Sequence, residues 1–165
     1  MTASAVRCAK GIAGLVDSSV SVRSCEAFGP VSFLADYPDY FWYGIHSADV
    51  LFSYMGKGCR SVQAFCTDDV DLLMGRWADG RIGTLRGLRF NGAGFGCTVH
   101  AIGGIRSGVA EAEPPYYALL LQQVMRFFQT GVPSIDPEES VEIIGFLDAA
   151  SRSRANGGRE FSLHP

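Results

Sequence analysis

Apolar residues recur at intervals of three and four in several parts of this chain, which is the spacing of one helix face. The segments with this spacing are residues 4–16, 42 or 44 to 55, 114–130 and 137–155. Apolar and polar residues alternate in others, which predicts strands over residues 18–27, 61–66, 70–77, 82–90 and 95–102, with a short last strand over 160–163. The predicted order is a helix, a strand, a helix, a run of four strands, two helices and a final strand.

The predicted strands are joined by short turns, such as residues 78–81 with their Asp-Gly pair. Sequential strands joined in this way pair antiparallel, because parallel neighbours need long crossovers. Segregated strands and helices indicate an α+β fold, an open, mostly antiparallel sheet with helices on one face. The other face carries few charges in this pattern, so we expect it to meet a partner.

The last helix has the clearest start signal in the chain. Asp136 is the natural N-cap, Pro137 occupies the first helical position, and Glu138 and Glu139 favour the positive end of the helix.

The length, charge and cysteine content of the chain argue against several classes of protein. The chain has 165 residues, enough for a single domain. Only 19% of them are charged, with 47% hydrophobic, which suggests apolar surface for a partner subunit or domain. A net charge of −3 argues against nucleic-acid binding. No apolar run is long enough to span a membrane, and no signal peptide is evident. Five cysteines without zinc spacing predict free thiols and a cytoplasmic protein.

A glycine-rich segment at residues 91–96, NGAGFG, invites comparison with a dinucleotide-binding loop. Such a loop needs a glycine at its third fingerprint position and a helix after it. Here Cys97 takes that position and a strand follows. We therefore expect a turn between antiparallel strands, and no cofactor-binding residue in this chain.

His46 is the candidate catalytic residue. It lies in the first turn of an apolar helix, directly after the aromatic segment Tyr40-Phe41-Trp42-Tyr43, and Asp49 follows three residues later. Histidine titrates near neutrality and suits general acid or base work. The alternative is a core histidine bonded to a backbone group. His46 and Asp49 provide only two ligands, so no metal site is expected. Of the other histidines, His100 lies in a strand and His164 is near the terminus.

Three segments, in order, resemble the glucose–fructose oxidoreductase/inositol dehydrogenase/MocA family of oxidoreductases. They are YGIHSADVL at residues 43–51, GRWADGRIGT at 75–84, and FQTGVP with DPEES at 128–133 and 136–140. Members of that family have an N-terminal Rossmann domain, which binds NAD or NADP and carries a lysine motif. Their C-terminal domain is of the glyceraldehyde-3-phosphate-dehydrogenase-like kind. This chain is similar to the second domain only, so the resemblance implies that residues 1–165 are one substrate-binding and oligomerisation domain and that the Rossmann domain is absent.

The resemblance implies a role for particular residues. The family histidine corresponds to His46, which would act with the absent lysine in proton transfer during hydride exchange. Tyr40, Trp42 and Tyr43 are the expected substrate contacts, for a sugar, polyol or related hydroxy compound. The expected partners are the Rossmann domain and further copies of the chain, joined as a homo-oligomer through the sheet face. The isolated chain is expected to hold no cofactor and to be inactive.

The chain departs from the family at one position. Many members have an aspartate four residues before the histidine, where this sequence has Trp42. The relay would then use Tyr40, Tyr43 or Asp39, or the activity is lost. The alternative function is a stand-alone, non-catalytic module that dimerises and binds a small ligand or a protein.

Overall fold

A computed structural model describes residues 4–36 and 39–163 of the chain. Within these residues there are three helices, α1 (Gly44–Met55), α2 (Tyr116–Thr130) and α3 (Pro137–Ala155). The strands are β1 (Val22–Pro30), β2 (Cys59–Cys66), β3 (Val70–Trp77), β4 (Ile82–Leu88), β5 (Gly96–Ala101), β6 (Gly104–Val109) and β7 (Phe161–Ser162). Short 3₁₀ turns cover Ala5–Cys8 and Asp39–Phe41.

The seven strands form one open sheet in the order β6-β5-β1-β4-β3-β2-β7. Every neighbouring pair is antiparallel except β1 and β4, which are parallel. The predicted mostly antiparallel sheet is confirmed. The expectation that each strand pairs with the next is wrong for β4 and β5, because β1 lies between them. The glycine-rich segment therefore crosses over the end of β1 and is not a hairpin turn.

The core lies between one face of the sheet and two helices. α1 lies over β1, β4 and β5, and α3 lies over β2. Phe52 of α1 joins the two helices, because its ring meets those of Phe146 and Trp77 at centroid distances of 5.8 and 5.5 Å. Such aromatic contacts add to the stabilisation from apolar burial. The α+β architecture with helices on one face is confirmed.

The first predicted helix is wrong. Residues 4–21, which we call the N-terminal arm, form only the 3₁₀ turn and a series of further turns. Gly11 and Gly14 have φ values of +83° and +73°, a conformation that an α-helix excludes. A Cβ at Gly108 of β6 would lie 1.7 Å from the Gly11 oxygen, so arm and strand approach too closely for any side chain. The apolar spacing still predicted burial, since Val6, Ala9 and Ile12 are all in the core.

α2 packs against the arm and has no fully buried residue. Tyr117 and Phe128, predicted for its apolar face, are each 77% exposed. Its predicted extent is nearly correct, but its packing is not. β6 was missed altogether, because its sequence GIRSGV has no apolar alternation.

Several elements agree closely with their sequence signals. α1 and β3 have the predicted bounds, and the side chain of Asp136 caps α3 by accepting a hydrogen bond from the Glu138 N–H at 2.9 Å. No helix within the described residues is both long and apolar enough to cross a membrane.

Candidate functional site

His46 lies in the first turn of α1, and its backbone N–H donates to the Tyr43 oxygen at 3.1 Å. The helix begins at Gly44, where a Cβ would come within 3.1 Å of the Tyr40 Cβ. The absence of a side chain at Gly44 thus lets the preceding segment fold back against the helix start. The His46 ring is half-buried, and burial lowers its pKa below the ordinary value. Its neutral form therefore predominates near neutral pH.

Aromatic rings lie around the His46 side chain, and we call this group of rings the aromatic cluster. Phe95 meets the His46 ring edge-on at a centroid distance of 5.6 Å and stacks on Tyr43 at 6.5 Å with an interplanar angle of 11°. Tyr43 also meets His46 edge-on at 5.9 Å, and Trp42 contacts Tyr43 at 6.0 Å. A stacked aromatic pair next to a neutral imidazole offers an apolar wall and one polar group, as ligand sites commonly do.

Phe95 is the site residue that sequence reasoning missed. It lies in the glycine-rich segment, which we took only as a turn. The segment crosses the end of β1, and this crossing brings Phe95 over Gly29. A Cβ at Gly29 would lie 2.4 Å from both the Phe95 ring and the Ser47 Oγ. An aromatic residue within a glycine-rich turn was the available signal, but it does not say which strand end the turn crosses.

The N-terminal arm reaches the other side of the His46 ring. The Ser4 Oγ is 2.9 Å from the His46 Nδ1, and the Ser4 N–H donates to Asp49 Oδ2 at 3.1 Å. Asp49 is fully buried, and the Arg7 guanidinium lies 3.1 Å from its Oδ1 and 2.5 Å from Glu139. Burial raises the Asp49 pKa to about 6 despite the nearby Arg7. Asp49 therefore anchors the arm, and the arm contacts the histidine.

The three aromatic residues predicted to contact a substrate separate into two groups. Trp42 and Tyr43 are 39% and 38% exposed and lie beside His46, whereas Tyr40 is 0% exposed. The Tyr40 hydroxyl donates to Asp71 Oδ2 at 2.9 Å, and burial together with the Asp71 charge raises its pKa strongly. Tyr40 has no surface left for a ligand, so its position in the core corrects the expectation of a direct contact.

Asp71 is the centre of a second buried cluster. It forms an ion pair with Arg89, and Arg154 lies 3.9 Å away. Both guanidinium groups lie over the Phe33 ring, at 5.4 and 4.2 Å from its centroid, where cation–π attraction holds them. The cluster ties the segment before α1 to strand β3 and to the end of α3.

The described residues show no group of three or more histidine, cysteine or acidic side chains placed to hold a metal ion. Asp49 points to the arm and to Arg7, so it does not join His46 as a ligand. The glycine-rich segment leads into strand β5, where a pyrophosphate loop would lead into a helix. This segment therefore does not have the geometry of a pyrophosphate-binding loop. His100 is exposed on β5, and His164 lies outside the described residues.

A cleft of about 920 Å³ lies away from His46. The arm, the C-terminal part of α1 and the β3–β4 hairpin form its walls, and Arg7, Tyr54 and Arg81 line it. His46 and its aromatic neighbours do not line this cleft.

The fold and the site together define an α+β domain that presents a neutral histidine within a cluster of aromatic rings. No family model and no curated protein matches the sequence. Solved structures do match. GenD2 from gentamicin A biosynthesis, in complex with NAD, superposes with a TM-score of 0.76 at 18% identity, over 97% of this chain and 62% of that one.

Two inositol dehydrogenases are similar as well. The myo-inositol dehydrogenase of Corynebacterium glutamicum has a TM-score of 0.67 at 15% identity, over 88% of this chain and 57% of its own. The scyllo-inositol dehydrogenase of Lactobacillus casei, with bound NAD(H) and scyllo-inositol, has a TM-score of 0.68 at 10% identity, over 88% and 57%. The chain thus spans about 60% of the length of these structures. Its fold is that of the C-terminal domain of the glucose–fructose oxidoreductase/inositol dehydrogenase/MocA oxidoreductases, which confirms the resemblance at the level of fold.

Proposed function

We propose that this chain is the substrate-binding and oligomerisation domain of an NAD(P)-dependent oxidoreductase, acting by hydride transfer on a sugar, polyol or related hydroxy compound. The observation that carries the proposal is the position of His46. A neutral imidazole lies at the start of α1, against an aromatic wall, in a fold shared with NAD-bound GenD2 and with a dehydrogenase that holds scyllo-inositol.

Different side chains of this domain would have different roles in substrate binding and catalysis. Trp42 and Tyr43 would pack on the apolar C–H face of a polyol, and Phe95 would exclude water from one side. His46 would hold or exchange the proton of the hydroxyl at the reacting carbon. A nicotinamide cofactor would supply the hydride chemistry, and a second domain would hold it, because the glycine-rich segment of this chain leads into a strand and not into a helix.

We propose a Rossmann domain as the partner that covers the aromatic cluster around His46. The support is the extent of the similarity, since the chain spans 57–62% of each matched structure. A cytoplasmic location fits the five free cysteines, of which Cys25, Cys59 and Cys97 are buried. Unpaired thiols are typical of proteins in reducing compartments.

Calorimetry and turnover test this proposal. We expect the 165-residue chain to show no micromolar affinity for NAD(H) or NADP(H). Turnover is measured by reduced-cofactor absorbance with a panel of inositols and sugars. The dinucleotide-binding domain is supplied from the same gene product or, if encoded separately, as a purified partner.

His46→Gln should lower kcat by about 10²–10⁴-fold, the range of general acid–base catalysis. Ser53→Ala, on the same helix as His46, is the control and should leave turnover unchanged. Tight dinucleotide binding by the chain alone, or equal turnover of wild type and His46→Gln, contradicts the proposal.

The second candidate function is a non-catalytic module that dimerises and binds a small ligand or a protein. Trp42 favours it, because the resemblance implies an aspartate at this position in many members of the family. Under this alternative, polyols bind the chain and shift the His46 resonances, while no partner domain yields turnover. Under this alternative, Trp42→Asp does not raise turnover. Under the oxidoreductase proposal, Trp42→Asp raises turnover if Trp42 slows proton transfer.

We propose that the uncovered sheet face forms the oligomer. It carries half-buried Leu72 and Met74 near its centre, with exposed Phe65, Ile82 and Ile105 around them. The same face carries the ion pair between Glu26 and Arg86 at 3.3 Å and hydroxyl side chains such as Thr84 and Thr98. Large apolar side chains exposed together on a sheet face are typical of an interface.

Met74→Glu tests the interface by placing a charge at the centre of this face. We expect sedimentation velocity to show an oligomer for the wild type and a folded monomer for the variant. Val141→Glu, on the exposed side of α3, is the control and should leave the mass unchanged. A monomeric wild type, or an oligomer that Met74→Glu leaves intact, contradicts this interface.

A further inference from the structure

The hydrogen bonds of Ser4 bear on the protonation of the His46 ring as well as on its position. The Ser4 Oγ accepts a hydrogen bond from the Val6 N–H at 3.1 Å and lies 2.9 Å from the His46 Nδ1. Ser4 is 5% exposed, so water does not freely replace either partner. Its hydroxyl hydrogen needs an acceptor at this site, and among the described residues the unprotonated Nδ1 is within reach.

The opposite arrangement leaves a buried donor unpaired. If Nδ1 carried the proton and donated it to Ser4, the Oγ would accept two hydrogen bonds and the hydroxyl hydrogen would have no acceptor among the described residues. Burial of an unpaired donor is unfavourable. The doubly protonated ring has the same defect, and the lowered pKa of His46 disfavours it as well.

The arm cannot easily adjust to relieve this constraint. The Ser4 N–H is bonded to Asp49 Oδ2, and the Arg7 Nη2 donates to the Asp49 backbone oxygen at 2.9 Å. Arg7 is also paired with Glu139 of α3. Contacts to helices α1 and α3 therefore hold Ser4 in place. Its N–H is bonded to Asp49, and its hydroxyl contacts His46, one turn earlier in the same helix.

We propose that Ser4 is a positioning residue that keeps His46 in the tautomer with the proton on Nε2. No described residue forms a hydrogen bond with Nε2, which lies on the ring edge away from Ser4. His46 then presents the N–H of Nε2 to a substrate oxygen and meets it first as a hydrogen-bond donor.

This inference rests on the proposed function only for its catalytic meaning, since the tautomer is a property of the chain alone. It also explains how the site tolerates Trp42. The arm orients the imidazole from the side opposite to the aromatic wall, so an acidic residue at position 42 is not needed to hold the ring.

Nitrogen NMR of the imidazole rings in the ¹⁵N-labelled 165-residue chain tests the proposal without cofactor or substrate. At about pH 8, above the ordinary histidine pKa, His46 should show a protonated Nε2 and an unprotonated Nδ1. His46→Gln assigns the signals. In Ser4→Ala the two nitrogen shifts should move toward each other as the tautomers mix, whereas Ser4→Thr should retain the wild-type pattern.

Ser53→Ala is the matched control. It removes a hydroxyl from the same helix α1, where Ser53 bonds only the Val50 oxygen, and it should leave the His46 shifts unchanged. A protonated Nδ1 in the wild type overturns the proposal, as does a Ser4→Ala spectrum identical to that of the wild type. The wild-type spectrum alone decides the tautomer if Ser4→Ala does not fold. Failure of polyol turnover would contradict the proposed function and leave this result standing.

Discussion

Asp49 and Asp71 are both 0% exposed and both paired with arginine, yet they support different parts of the site around His46. Asp49 holds the N-terminal arm, which contacts the edge of the His46 ring. Asp71 holds Tyr40, which precedes the aromatic residues of the wall. Neither carboxylate is exposed at the surface around His46. The comparison shows that two buried carboxylates position this site. Asp49 positions the imidazole of His46, and Asp71 positions the aromatic residues beside it.

The two carboxylates differ in how they are neutralised. Asp71 lies close to two guanidinium groups and accepts the Tyr40 hydroxyl. Asp49 shares its single arginine with Glu139, and burial raises its pKa to about 6. Asp71 is therefore the more completely compensated charge, and its loss should leave more buried groups unpaired.

The largest expected effect follows from Asp71→Asn. The change leaves Arg89 without its buried partner, and breaking such a pair typically costs about 3–5 kcal/mol. Urea unfolding followed by tryptophan fluorescence measures the difference. Asp68→Asn, on the exposed turn before β3, is the control and should stay within about 0.5 kcal/mol. Equal stability of the two variants would mean that Asp71 is not a structural anchor.

Asp49→Asn should have a smaller effect that depends on pH. In the unfolded chain the group titrates near 3.8, and in the folded chain near 6. The folded state thus binds more protons between these values, so the stability that Asp49 contributes is complete below pH 3.8 and is lost as pH rises through 6. Relative to Asp49→Asn, the wild type should lose up to about 3 kcal/mol between these limits.

Unfolding in urea at about pH 4 and pH 7 checks this difference. His46 titrates in both proteins, and its opposite dependence therefore cancels in the comparison. A difference that does not change with pH would show that burial does not raise the pKa of Asp49.

The smallest effect is expected for Tyr40→Phe, which removes one hydrogen bond to Asp71 and keeps the ring. A loss of about 1–2 kcal/mol is expected, since a charged acceptor loses a donor. Tyr117→Phe, on the exposed face of α2, should change stability by less than about 0.5 kcal/mol.

The same variant tests whether the two supports are independent. Tyr40→Phe should weaken polyol binding through Trp42 and Tyr43 but leave the His46 tautomer unchanged. A tautomer change in Tyr40→Phe would show that the two supports are coupled, and the combined Ser4→Ala, Tyr40→Phe variant would then depart from additivity.

The elements nearest the site were predicted well where local signals are strong. Helix α1 has a continuous apolar face and a glycine stop at Gly56, so its bounds and the position of His46 followed from the chain alone. The arm was mistaken for a helix, because its apolar spacing suits helices and turns alike. Phe95 was missed, since no local signal tells a hairpin from a segment that crosses a third strand.

By itself, the sequence determined the fold class, the strand segments of the central sheet, the cap at Asp136 and the candidate histidine, because each depends on residues within a turn or a strand of one another. Only the tertiary structure decided that β1 lies between β4 and β5, that Phe95 joins Tyr43, that Tyr40 is buried on Asp71, and that Ser4 contacts His46. These contacts join residues more than 25 positions apart, and the free energy that selects them is the burial of apolar surface and the pairing of buried charges over the whole domain.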